Sequence, residues 1–152
     1  MTSFAVSREF EVPAEVAFDV FTNGGRYPEY TPIRRVEVER AGEGGGDGSG
    51  AVRALHGGPR PLRERVLESR PPERFEFEVL SGAPVRAYRG VLRFEPADRG
   101  CRVTYEVDLE PLVPGTGWAV AAGFRSAIEV LMRLAGPEAR RRAAGSASPS
   151  LR

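Results

Sequence analysis

The sequence predicts an α+β domain in which a curved seven-stranded antiparallel sheet wraps around one long C-terminal helix. Three observations carry this. An N-terminal strand is followed by two short helical segments. Six more alternating segments then follow at short spacing, separated by Gly/Pro turns. A single long apolar segment closes the chain. Short strands joined by turns form an antiparallel meander, and one helix is left to cover its concave face.

The first strand is read over Phe4 to Val12, where Phe4, Val6, Phe10 and Val12 share one parity and Ser7, Glu9 and Glu11 the other. Such alternation marks a half-buried strand. Pro13 suits the start of a helix, and Ala14 to Phe21 places Val16, Val20 and Phe21 on one side before Asn23-Gly24-Gly25. Arg26 to Thr31, bounded by Pro28 and Pro32, reads as a second short helix or turn. Val36 and Val38 alternate with glutamates in strand two. Six of the nine residues from Gly42 to Gly50 are glycine, with Glu43, Asp47 and Ser49 between them, and the segment reads as a mobile hairpin loop. Strands three and four are expected over Ala51–His56 and Leu62–Glu68. Phe75, Phe77 and Val79 define strand five, Tyr88, Leu92 and Phe94 strand six, and Val103, Tyr105, Val107 and Leu109 strand seven.

The last helix is read over Trp118 to Ala135, ending or kinking at Gly136-Pro137. Arg125, Glu129 and Arg133 lie at four-residue steps and are expected to pair along its solvent face. Arg140 to Arg142 and the residues after Ala143 read as solvated, so the domain is expected over residues 1–142 with a disordered tail over 143–152.

Composition narrows the function. The chain has 152 residues and a net charge of +1, from 22 basic and 21 acidic side chains. One domain of this size needs no disulfide or metal to fold. A nucleic-acid binder usually has a marked basic excess, so no nucleic-acid partner is expected. Every basic residue is arginine, which excludes lysine Schiff-base chemistry. Cys101 is the one cysteine, and with a single histidine it leaves no metal constellation in the sequence. No cofactor is expected. No apolar run approaches the roughly 20 residues of a membrane span, and the N-terminus has no signal-peptide pattern. A cytoplasmic protein, monomer or homodimer, is expected.

The order of elements implies a cavity. A strongly bent sheet and a single helix do not meet everywhere, and the gap would be lined by inward strand residues and the helix's apolar face. That is the usual make-up of a small-molecule pocket. The expected lining is Arg53, His56, Glu64, Phe77, Tyr88, Leu92, Tyr105, Trp118, Phe124 and Ile128, with Tyr27 and Tyr30 at the mouth. Met132 shares the inward helix face.

His56, Glu64, Tyr88 and Tyr105 are the acid–base candidates. His56 is the one side chain with an ordinary pKa near neutrality, and strand parity groups it with Val52, read as inward. It is either a general base or a turn-flanking residue in contact with water. Glu64 has the parity of Leu62 and Val66; a buried carboxylate there needs a partner. Arg53 is the natural one, but if Val52 and Glu64 both face inward, regular pleating turns Arg53 out unless a bulge intervenes. The pair reads either as a structural ion pair or as part of a site. Tyr88 and Tyr105 would each offer a ring and a hydroxyl, or serve as plain core.

Five stretches carry a resemblance to a known superfamily: VPAEVAFDVFTNGGRYPEYTP (Val12 to Pro32), GAVR (Gly50 to Arg53), RERV (Arg63 to Val66), PPERFEFEV (Pro71 to Val79) and GVLRFEP (Gly90 to Pro96). They resemble the START-like, or SRPBCC, superfamily, in its polyketide cyclase/dehydrase-like branch, from about Phe4 to Ala135. The resemblance implies the helix-grip fold and binding of a small hydrophobic or aromatic ligand such as a lipid or polyketide. Some members are cyclases or aromatases and others are carriers, so it leaves catalysis open. RYPEYTP also resembles the coenzyme-Q-binding, ribosome-associated branch, which implies a quinone carrier or a protein-interaction module instead.

Overall fold

The computed structural model describes residues 1–147. The chain runs β1 (Thr2–Phe10), α1 (Ala14–Thr22), a 3-10 helix η1 (Gly24–Glu29), β2 (Arg35–Arg40), β3 (Val52–His56), β4 (Leu62–Arg70), β5 (Arg74–Ser81), β6 (Val85–Ala97), β7 (Gly100–Pro111) and α2 (Gly117–Ala147). All seven strands form one antiparallel sheet in the order β1-β7-β6-β5-β4-β3-β2. The sheet is curved and grips α2, the helix-grip arrangement. Register shifts at Val38/Arg40, Arg63/Glu64, Val66/Glu68 and Val85/Ala87 supply extra residues that bend the strands.

Strand alternation sets the core. Phe75 and Phe77 of β5, Tyr88, Leu92 and Phe94 of β6, and Val103, Tyr105, Val107 and Leu109 of β7 are all buried. Residue 90 is the glycine that lets two aromatic rings meet the sheet here. Phe77 lies opposite Gly90, and a Cβ on Gly90 would fall 2.6 Å from the Phe77 ring and 3.3 Å from that of Tyr105. Helix α1 closes one end of the core with Phe18 and Phe21, whose rings meet Phe94 at centroid distances of 5.1 and 6.2 Å. Pro13 caps α1 by accepting the backbone N–H groups of Val16 and Ala17.

Several local expectations are corrected. Helix α2 does not stop at Gly136-Pro137 but continues through Ala147, five residues into the stretch read as tail; residues 148–152 lie outside the described part. Pro137 costs the helix one backbone donor, but tertiary contacts beyond it hold the last turns. Ala139 is fully buried. Arg142, read as solvated, has only 7% of its side chain exposed. It donates to Glu138 at 2.7 Å and, across to α1, to Asp19 at 2.9 Å. The expected Arg125–Glu129–Arg133 pairing does not form. Arg125 instead stacks on Phe4 at 5.2 Å, and Arg133 donates to the Glu129 carbonyl.

The glycine-rich loop after β2 is also not a free loop. Positive φ at Gly44, Gly45, Gly46 and Gly50 folds it back on itself. The Gly50 N–H donates to the Val66 carbonyl, and Ser49 accepts the Ser69 N–H.

The Glu138–Arg142 pair anchors the C-terminal turns, so Glu138→Ala should leave a buried guanidinium short of a partner. We expect a loss of about 3 kcal/mol in urea denaturation at pH 7. Burial pushes the Glu138 carboxyl up, but Arg141 and Arg142 pull it further down, to a net value below its ordinary 4.5. Its contribution is therefore present above pH 4.5 and fades as pH falls through the lowered value. The gap between wild type and Glu138→Gln should close on acidification; a constant gap from pH 7 to pH 3 contradicts this assignment.

Candidate functional site

A cavity of about 450 Å³ lies between the sheet and α2. Phe75, Phe77, Leu92, Phe124 and Ile128 supply much of its apolar wall, with Leu55, Leu62 and Val79 toward the hairpin ends of the sheet. Val130 and Leu134 also line it while 47% and 38% exposed. The cavity therefore reaches solvent along that side of α2, opposite Pro32 and Ile33.

Its inner end is built on Arg53, 2% exposed. Strand register places Arg53 directly opposite Glu64, and in an antiparallel pair opposed residues share a face. Arg53 Nε donates to Glu64 Oε1 at 3.1 Å. Its Nη1 donates to the Thr22 carbonyl at 2.9 Å and to Asp47 Oδ1 at 2.8 Å. Its Nη2 donates to the Tyr27 hydroxyl at 3.1 Å. The guanidinium plane is further held between the rings of Tyr27 and Phe75, each with its centroid 5.3 Å away. One side chain thus joins the end of α1, η1, the glycine-rich loop, β4 and β5.

One cation shared by two carboxylates sets the local electrostatics. Burial opposes the Arg53 charge, but Tyr27, Glu64 and Asp47 outweigh it, and its pKa rises further above the ordinary value. Burial pushes the Glu64 carboxyl above the ordinary carboxylate range against the pull of Arg53, and Asp47 adds to the rise. Glu64 Oε1 is engaged by Arg53, while Oε2 has no hydrogen-bond partner among the described residues. Glu64 lines the cavity, so this carboxyl is a polar group available to a ligand.

The second polar feature is a pair of tyrosines. The Tyr88 and Tyr105 hydroxyls lie 3.5 Å apart, both buried. Tyr88 meets Phe124 of α2 at a tilt, with ring centroids 4.7 Å apart, and Tyr105 meets Phe77 edge-on at 6.1 Å. Burial raises both phenols, Tyr88 to about 12. At neutral pH both are neutral and able to donate. Tyr27 is likewise held protonated by burial, at about 12, and its hydroxyl donates to the Phe21 carbonyl.

Of the residues expected around the cavity, Arg53, Glu64, Phe77, Tyr88, Leu92, Tyr105, Phe124 and Ile128 line it. Two do not. His56 lies on the opposite face of β3, its Nε2 3.4 Å from Glu37 Oε1. The parity reading of β3 was inverted: Ala51, Arg53 and Leu55 face in, and Val52, Ala54 and His56 face out. No bulge in β3 is needed for the Arg53–Glu64 pair. Trp118 is 77% exposed, because the first turn of α2 packs Gly117 and Ala121 inward and turns Trp118 to the outer face with Ala122 and Arg125. Tyr27 lies deep beside Arg53 rather than at the mouth, and Tyr30 donates to the Val20 carbonyl at 2.5 Å.

Asp47 escaped the sequence reading because it sits in a glycine loop with no periodicity. Leu55 and Leu134 were readable in principle, the first from the parity of Arg53 and the second as four residues beyond Val130.

An antiparallel sheet closed over a helix, with a largely apolar internal cavity holding a few buried polar groups, defines a class of small-molecule pocket. The chain belongs to the family described as polyketide cyclase / dehydrase and lipid transport, whose sequence profile matches residues 1–135. No curated protein matches the sequence. Among solved structures, the fold is similar to that of a START superfamily protein from Mycobacterium smegmatis, at TM-score 0.76 and 13% identity over 91% of this chain and 97% of that one. A protein from Thermobifida fusca is similar at TM-score 0.77 and 20% identity, over 93% and 95%. The di-domain ARO/CYC StfQ from the steffimycin biosynthetic pathway is similar at TM-score 0.76 and 13% identity. There, this chain covers 52% of the relative's length and 93% of its own. At these identities the likeness is one of fold.

Removing Arg53 should strand two carboxylates, one of them buried. Arg53→Met should therefore destabilise by about 3 kcal/mol or more, and adding Glu64→Leu should recover a large part of that loss. Denaturation of both single variants and the double variant checks this; a double-variant loss equal to the sum of the two single losses would mean that the pair is not coupled.

Proposed function

We propose that the protein binds a small hydrophobic or aromatic molecule in this cavity. The observation that carries the reading is the lining itself: about 450 Å³ enclosed by apolar and aromatic side chains, with polar atoms concentrated at Glu64 and at the Tyr88–Tyr105 pair. A ligand that fits has a flat apolar body and one or two oxygens. Glu64 would accept from a ligand hydroxyl when ionised, and the tyrosines would donate to a ligand carbonyl. Phe77, Leu92, Phe124 and Ile128 would hold the body. A lipid, a quinone and a polyketide all meet this description, and the family's description supports the class. Cys101, free and buried, is compatible with a cytoplasmic setting, which is part of the proposal.

A cyclase-like activity is a second reading, favoured by one observation. Glu64 has a raised pKa and a free oxygen in the cavity, which suits a carboxyl that passes a proton to or from a bound substrate. Positioning of a flexible substrate by the apolar wall would supply much of the remaining acceleration.

Ala127 is exposed yet lines the cavity, so a large side chain there should block the space without disturbing the fold. We expect Ala127→Trp to weaken binding of an anilinonaphthalene dye, and of fatty acid, quinone or aromatic polyketide read by mass spectrometry, about tenfold or more, with Tm unchanged. Unaltered binding would place the ligand elsewhere. Glu64→Gln tests the role of this carboxyl in the second reading: uptake retained with product formation lost supports proton transfer by Glu64, and equal loss of both argues against a catalytic role for it.

A further inference from the structure

We infer that the end of the molecule carrying the β7–α2 connection docks on an anionic lipid surface through Leu112, Val113 and Trp118. These side chains are 52%, 61% and 77% exposed, and with Met1 at 84% they are the most exposed large apolar groups among the described residues. Isolated exposed apolar residues are ordinary. Three within the seven residues from Leu112 to Trp118, one short connection and the helical turn after it, concentrate exposed apolar surface at one end of the molecule.

The patch is fixed in place by the fold. The Leu112 N–H donates to the Pro84 carbonyl at 3.3 Å, tying the connection to the β5–β6 turn. That turn in turn touches the β3–β4 hairpin, since a Cβ on Gly82 would fall 2.2 Å from the Pro61 carbonyl oxygen and 2.9 Å from Leu62 Cα. Leu62 lines the cavity. The β7–α2, β5–β6 and β3–β4 connections therefore adjoin one another at one end of the sheet, and the last leads into a residue of the cavity wall.

Charge on this end selects the partner. Arg86 borders the same groove as Trp118 and Met1, where Glu110 at 3.9 Å offsets it only loosely. Arg60 at the β3–β4 tip and Arg34 just before β2 are exposed, and neither has a carboxylate at ion-pair distance among the described residues. A tryptophan with neighbouring aliphatics and a fringe of arginines seats at a lipid–water interface, the ring among the headgroups and the guanidinium groups on phosphate or carboxylate. Three side chains offer far less than the roughly 800 Å² per partner of a stable protein dimer, whereas interfacial attachment needs no such area. The inference is independent of what the cavity holds.

Trp118 is the single tryptophan of the chain, so its emission reports on this patch alone. The whole protein should float with phosphatidylserine-containing vesicles at low salt, with a blue shift of Trp118 emission. It should float weakly with pure phosphatidylcholine and lose its attachment at high salt. Leu112→Ser/Val113→Ser should cut partitioning about tenfold or more, and Arg60→Glu and Arg34→Glu about fivefold each. All four positions are exposed, and circular dichroism checks that the fold is kept. Dye uptake by the cavity should be unchanged in these variants, so failure here is separable from failure of the binding proposal. Unshifted emission with no flotation on anionic vesicles overturns the inference. So does a concentration-dependent dimer in sedimentation that the Leu112/Val113 variant abolishes, which would assign the patch to a second copy.

Discussion

Arg53 is the side chain on which the rest of the site depends. It is nearly fully buried, so its charge has been taken out of water at a cost of several kcal/mol. That cost is met only because four acceptors converge on it from four places in the chain: Glu64, the Thr22 carbonyl, Asp47 and the Tyr27 hydroxyl. Each acceptor constrains the segment that carries it. The end of α1 must present a free carbonyl, η1 must bring Tyr27 inward, and the glycine-rich loop must fold back far enough to deliver Asp47. Gly24 allows this convergence, because a Cβ there would sit 3.1 Å from Arg53 Nη1 and 3.2 Å from Asp47 Oδ1.

The same constraint shapes the inner end of the cavity. Arg53 and its partners seal the inner end with polar groups that satisfy one another, leaving the Glu64 Oε2 atom as the acceptor without a partner there. The sheet, bent by its bulges, closes the back, and α2 covers the front as far as Val130 and Leu134, where apolar side chains meet solvent. The lining thus combines exposed aliphatic, buried aromatic and buried carboxyl groups, an arrangement suited to orienting a ligand as well as holding it.

How much of this was readable in the sequence depends on periodicity. The seven strands, the two short helical segments and the existence of α2 follow from alternation and turn residues, and in β5 to β7 the inward faces follow too. Phe77, Tyr88, Leu92 and Tyr105 sit in long runs where parity is unambiguous. In β3 the run is only five residues, and Val52 and Ala54 are as apolar as Ala51 and Leu55, so parity could not choose between faces and His56 was turned inward in error. Trp118 departs for a different reason: a large apolar residue at a helix start reads as core, but α2 buries Gly117 and Ala121 and turns Trp118 outward with Ala122 and Arg125. The far end of α2 was hidden by Pro137, whose local cost is outweighed by the buried Glu138–Arg142–Asp19 contacts, and no local pattern announces those. Asp47 is the clearest limit, since its role exists only through a tertiary contact with Arg53.

The central claim is that the cavity is a binding site for a small apolar molecule. Native mass spectrometry of freshly purified protein, followed by solvent extraction and identification of what is released, tests it most directly. The account predicts a bound species of defined mass, largely apolar and carrying one or two oxygens, that leaves on extraction and rebinds stoichiometrically. A clean unliganded mass, with no adduct formed on adding fatty acids, quinones or aromatic polyketides, would contradict the claim and turn attention to the protein-interaction reading.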